Sequence, residues 1–154
     1  MRRIDKGATP RFSGFVGVLL LIAIGGLTRA EGNVVKIIGD DRGGYIGARA
    51  LEVAELNTNG ARIELRGQVC LSSCTLYLGV EDVCVSPDTT FGFHGPSRNG
   101  RPLPGAQFDH WSNVMAQHYQ PALQAWFMSD ARHKTTGYSR ISGRQLIEIG
   151  YDAC

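Results

Sequence analysis

The chain has 154 residues, 43% hydrophobic and 19% charged, a one-domain length whose composition excludes an intrinsically disordered protein. Residues 1–30 hold five of the 16 basic residues and one of the 14 acidic ones, so the overall charge of +2 comes from that end. The remainder, with 11 basic and 13 acidic residues, is formally −2. Its basic side chains are scattered and form no run interleaved with aromatics, so nothing points to nucleic acid.

Arg2, Arg3, Lys6 and Arg11 precede an uncharged apolar run, Gly14 to Leu27, and then Thr28-Arg29-Ala30. A positive start, a short apolar stretch and small residues at a cleavage position make the pattern of a secretory signal peptide. At 14 residues the run is short for a spanning helix, which needs about 20. Residues 1–30 are therefore expected to be a signal peptide or an N-terminal signal anchor, with residues 14–27 as the membrane-facing part, and residues 31–154 the folded domain. Gly is abundant, at 20 residues, which suits a turn-rich α/β protein.

Val34 to Ile38 is short, apolar and β-branched and predicts a buried strand. Gly39 to Gly44 follows as a loop, and Tyr45 to Asn57 has helical apolar spacing up to Asn59-Gly60. Ala61 to Val69 alternates Ile63 and Leu65 with charged neighbours and predicts a second strand. Leu71 to Gly79 is a small-residue turn running into a helix. Val83 to Ser86 and Thr90 to His94 predict two more strands, and Ser97 to Gly105 a flexible loop. From Gln107 to about Arg132 the spacing is helical, with Pro121 kinking or splitting the helix. Phe108, Trp111, Val114, Met115, Tyr119, Leu123, Trp126 and Phe127 carry the pattern, and its aromatics fit a core-facing stripe. Lys134 to Ser139 is a loop, and Ser142 caps a final helix that Gly150 ends. This order implies an α/β domain around a largely parallel sheet with flanking helices.

Cys70, Cys74, Cys84 and Cys154 all follow the export segment, and an even count in an exported chain suggests disulfides. Three pairings are open. A metal site on Cys70, Cys74, Cys84 and His94 would lack the paired Cys-x-x-Cys spacing of structural zinc, so no metal is expected.

Three segments fit one mechanism. Gly43-Gly44, after a strand and before a helix, would let backbone N–H groups approach a substrate. Ser72, between a strand and a helix, could project its hydroxyl from a tight turn while the Ser73 N–H faces a developing oxyanion; a serine there also serves as an ordinary helix cap. His94, at a strand end before Gly95-Pro96, could act as general base.

In order and spacing these residues resemble the Clp-protease family of the crotonase superfamily. Gly44 precedes Ser72 by 28 residues, Pro87 precedes His94 by seven, and Pro96 completes a His-x-Pro. Cys70-x-Ser72-Ser73-Cys74 with Phe91-Gly92-Phe93-His94 is similar to an exported, periplasmic-type branch. The likeness covers residues 34–96 and, loosely, 138–150. It implies a Clp-protease/crotonase-like fold in a reduced version, with Ser72 and His94 catalytic and the Gly44 and Ser73 N–H groups as oxyanion hole. It also implies a peptide or protein substrate, no cofactor, self-association into a homo-oligomer, and a place in the periplasm or on the outer face of the inner membrane.

Two departures stand beside it. The family's acidic triad member falls near Tyr138, and no Asp or Glu occurs between Lys134 and Ile147; Asp130 and Asp152 are the nearest substitutes. The family's first strand and helix have no counterpart before Val34, so the sheet is expected to be smaller or to be completed by a partner. The alternative function is a catalytically inactive Clp-like module that binds peptides or a partner. An acyl-thioester enzyme would use a similar glycine-lined hole but would not need the Ser-His pair.

Overall fold

The structure is a computed structural model and describes residues 34–154; the export segment expected over residues 1–30 lies outside the described residues. The β-branched run Val35–Ile38 forms β1, and Ile46–Thr58 forms α1. β2 is Arg62–Leu65 and β3 is Val69–Leu71. A 3-10 helix, Ser72–Gly79, leads to β4, Asp82–Val85, and β5, Thr90–Phe93. β6 and β7 are the two-residue arms Ser97–Arg98 and Arg101–Pro102. α2, Gly105–Ala116, and α3, Pro121–Ser129, precede β8, Ser139–Ser142, then α4, Gly143–Glu148, and β9, Asp152–Ala153.

The architecture is α/β, with a parallel sheet in the order β1-β2-β4-β9 and flanking helices. The expected single strand Ala61–Val69 is two strands in two sheets. The chain bends after Leu65, where the Asp40 carboxylate accepts the Gln68 N–H at 2.6 Å. β3 then joins a second sheet, β3-β5-β8, in which β3 and β5 are parallel and β8 is antiparallel to β5. Alternation along residues 61–69 cannot reveal a change of sheet, because both halves keep the same period.

Pro121 does split the long helical segment, sitting at the first position of α3, where its missing N–H costs no hydrogen bond. Ser97 to Gly105 is not plain loop: Asn99 and Gly100, both at positive φ (50° and 74°), turn β6 into β7, as Asn-Gly pairs do in two-residue hairpins. Ser142 caps α4 through a reciprocal pair with Gln145, whose N–H it accepts at 3.2 Å while Gln145 Oε1 accepts the Ser142 N–H at 2.9 Å.

The inner face of the parallel sheet carries Ile38, Ile63, Leu65 and Val85, which pack with Val53 of α1, Leu76 of the 3-10 helix, Met115, Leu123, Phe127 and Leu146. Phe93 meets Tyr119 and Trp126 edge-on, each at 5.5 Å. The other face is polar: Arg62 pairs across strands with Asp82 at 2.5 Å, and Glu64 with Arg66 at 2.6 Å. Parallel sheets are usually covered on both faces and read as continuous apolar runs; here β2 alternates because only one face is covered. Among the described residues no helix is long and apolar enough to cross a membrane.

The cysteines form two disulfides, Cys70–Cys74 and Cys84–Cys154, which fit an oxidising, non-cytoplasmic compartment. The second spans 70 residues and ties β9 to β4; the first spans four. Loop-closure entropy makes the long link worth about 4 kcal/mol and the short one about 2 kcal/mol. Replacing Cys84 and Cys154 together by Ala should lower the unfolding free energy in urea by about 4 kcal/mol, twice the loss from Cys70→Ala with Cys74→Ala.

Candidate active site

β3 and β5 are parallel neighbours, with Leu71 paired to Gly92. The residues that leave their carboxyl ends therefore emerge side by side, at the end of an α/β sheet where ligand sites form. Those residues are Ser72 and Phe93-His94. Phe91 and Phe93 are fully buried and anchor β5, so His94 starts from a fixed backbone.

Ser72 has φ 55°, a left-handed conformation that non-glycine residues seldom adopt and that costs on the order of 1–3 kcal/mol. Several contacts hold it there. The Cys70–Cys74 disulfide bridges the turn. The Ser72 carbonyl accepts the Thr75 hydroxyl at 2.7 Å, and Thr75 Oγ1 also lies 2.8 Å from the buried Tyr119 hydroxyl. The Leu71 N–H donates to the Asp41 carbonyl at 2.8 Å.

The glycine pair is seated directly on this turn. Gly43 has φ +92°, and a Cβ on it would lie 2.6 Å from Ser72 Cβ and 2.8 Å from the Leu71 carbonyl oxygen. Only glycine fits both the dihedral and the space. The Gly43 N–H donates to Asp41 Oδ1 at 2.7 Å, and Asp41 is held by Arg49 at 2.8 Å. Neither the Gly44 N–H nor the Ser73 N–H has a backbone acceptor among the turns, loops and caps of the described residues. For Ser73 this follows from its place in the first turn of a helix.

Ser72 Oγ lies 2.8 Å from His94 Nε2. The other ring nitrogen, Nδ1, is 2.6 Å from the Gly95 carbonyl oxygen. A carbonyl can only accept, so Nδ1 carries the proton and Nε2 is left to accept from the Ser72 hydroxyl. Burial pushes the His94 pKa below its ordinary value, against a smaller upward pull from the Gly95 carbonyl. The ring is therefore neutral and basic at Nε2 at neutral pH.

No carboxylate meets the His94 ring among the described residues. Asp130 is the exposed C-cap of α3, and Asp152 lies on β9 in the other sheet. Neither meets the His94 ring; the Gly95 carbonyl does. Tyr138, where the acid was sought, stands edge-on to the imidazole at 5.3 Å. A cleft of about 480 Å³ opens over the pair, lined among others by Arg42, Gly44, Ser72, His94, Thr136 and Tyr138.

The metal reading of the cysteines does not survive: Cys70, Cys74 and Cys84 are all oxidised and offer no thiolate. Among the described residues no other His, Cys, Asp or Glu cluster could hold an ion. Arg49 and Thr135–Gly137 carried no signal in the sequence, since each comes to the site from a remote part of the chain, and Thr75 gave none as one more small residue of the turn. The sequence matches no protein-family model and no curated protein.

Gly43→Ala should destabilise the domain by about 2 kcal/mol and displace Ser72. Gly39→Ala, where a Cβ meets nothing within 4 Å, should leave both unchanged. Urea unfolding together with the reactivity of Ser72 toward a serine-directed probe checks this.

Proposed function

We propose that this chain is an exported serine hydrolase, a peptidase of the Clp-protease-like kind, working in the periplasm or on the outer face of the inner membrane. The observation that carries the reading is the 2.8 Å hydrogen bond from Ser72 Oγ to His94 Nε2, made by a serine at φ 55° beside a glycine turn. A helix-capping serine would need neither the histidine nor the unfavourable dihedral.

In the reaction, His94 Nε2 takes the Ser72 proton as Oγ attacks the acyl carbon. The carbonyl oxygen becomes an oxyanion held by the Gly44 and Ser73 N–H groups. Collapse returns the electron pair to the carbonyl and breaks the bond to the leaving group, which receives the proton from His94. Water then attacks the acyl-Ser72 ester, gives its proton to His94 and releases the acid, and the proton returns to Ser72.

The Gly95 carbonyl orients the ring but carries no full charge to stabilise the imidazolium. Where an orienting carboxylate is replaced, the rate falls by about 10⁴, so a slow enzyme is the expectation. The same observation favours one second reading, a Clp-like module that binds peptides without cleaving them.

A fluorophosphonate probe should label Ser72 in the full-length chain and leave Ser72→Ala unlabelled. His94→Ala should slow labelling by about 10²-fold or more. The base form of His94 is required and its pKa is lowered, so the labelling rate should rise with pH through an inflection below about 6.5 and stay level above it. No labelling at any pH, with peptide binding retained in folded Ser72→Ala, would establish the binding module instead.

A further inference from the structure

The basic residues that look scattered in the sequence are gathered by the fold. Three segments contribute most of the lining of the cleft over Ser72 and His94: residues 42–46, 94–100 and 135–138. Together they hold Arg42 and Arg98 and no Asp or Glu, with Arg101, Arg132, Lys134 and Arg140 close to their ends, while Asp41 beside Arg42 is paired with Arg49. Residues 34–154 contain 11 basic and 12 acidic residues. The lining segments therefore carry two cations and no acid, in a domain whose acids outnumber its cations.

The ion pairs follow the same division. Away from the cleft, Lys36, Arg49, Arg62 and Arg66 each have a carboxylate partner and Arg144 alone has none among the described residues. Of the cations on or beside the cleft segments only Arg132 has one, pairing with Asp109. Arg42, Arg98, Arg101, Lys134 and Arg140 are exposed and have no carboxylate partner among the described residues. An ordinary solvated surface mixes its signs; a concave site rimmed by one sign concentrates ligands of the other.

Arg42 places this charge next to the chemistry. It lines the same cleft as Ser72 and His94 and stands two residues before Gly44, whose N–H faces the acyl oxygen in the mechanism above. Arg98 lines an adjoining hollow of about 590 Å³ that shares Gly44, Ile46 and Ser97 with the cleft. We propose that the site selects acyl substrates bearing a carboxylate close to the bond they lose, with Arg42 and Arg98 as the selecting residues. An acidic peptide segment and a small dicarboxylic half-ester share that chemistry. The inference rests on the serine-hydrolase reading for its turnover arm and is independent of it for its binding arm.

The test uses the full-length chain and three 4-methylumbelliferyl esters of equal acyl length, ending in a carboxylate, a methyl or an ammonium group. The carboxylate ester should have a kcat/KM at least tenfold above the methyl ester at low salt, with the ammonium ester slowest. The ratio should shrink toward one in 0.5 M salt, where exposed charges are screened, and in Arg42→Ala/Arg98→Ala. A fluorescein-labelled glutamate-rich peptide should likewise bind at least tenfold more tightly than its glutamine counterpart, and lose that margin in the same variant, with folding checked by circular dichroism. A preference for the half-ester without one for the peptide would assign the charge to small substrates.

If wild type labels with a neutral fluorophosphonate but turns over the three esters equally, and the two peptides bind alike, the selectivity is overturned while the hydrolase reading stands. If nothing labels or turns over, the peptide pair still decides: a glutamate preference lost with Arg42 and Arg98 keeps the anion site and removes the hydrolase, and equal binding overturns the anion site too.

Discussion

The hydrogen bond between Ser72 Oγ and His94 Nε2 requires two side chains 22 residues apart to meet within 2.8 Å, and most of the local structure serves that requirement. β3 and β5 must be adjacent and parallel, so that Ser72 and His94 leave the same end. β3 must also depart from the sheet that holds β2, which the Asp40 contact to the Gln68 N–H accomplishes. Finally, the turn at Ser72 must stay in a conformation the residue disfavours. The disulfide, the Thr75–Tyr119 pair and the Gly43 contact together over-determine it, which is the condition under which backbone strain persists.

In the proposed reaction the base, His94, is built differently from a carboxylate-backed histidine. Its Nδ1 proton is held by a neutral carbonyl, which sets the tautomer but stabilises the imidazolium less than a carboxylate would. Burial opposes the small upward pull of that carbonyl and outweighs it. Burial thus keeps the ring neutral and ready to accept, and makes its protonated form costlier. Orientation and basicity, which one carboxylate supplies together, are here separated.

Much of this was legible in the residues. The strand, glycine pair, helix, serine turn, strand and histidine follow one another with spacings that place Gly44, Ser72 and His94 in one site, because each is marked by local chemistry: Gly-Gly after an apolar run, serine between a strand and a helix, His-Gly-Pro at a strand end. Ser142 was legible as a cap for the same reason. What stayed hidden depends on distant pairing. The change of sheet between β2 and β3 leaves the alternation of side chains untouched. β8 and β9 are short and polar, Ser139–Ser142 and Asp152–Ala153, and exist because a neighbouring strand offers them hydrogen bonds. The expectation of an acid near Tyr138 rests on a side chain standing behind the imidazole; a backbone carbonyl one residue away leaves no mark in a sequence.

Charge shows the same dependence on folding with the opposite consequence. Along the chain, Arg42, Arg98, Arg101, Lys134 and Arg140 are isolated residues in three unrelated stretches, and the net charge of the domain is close to zero. Pairing β3 with β5 brings the stretches of Arg42 and Arg98 beside one cleft, while Glu52, Glu55, Glu64 and Asp82 lie on α1 and the parallel sheet and Asp41 is paired with Arg49. A near-neutral composition therefore says little about the field at a site. The same strand order that sets Ser72 against His94 decides which loops border them, and so the geometry of the proposed reaction and the charge beside it have a common structural origin.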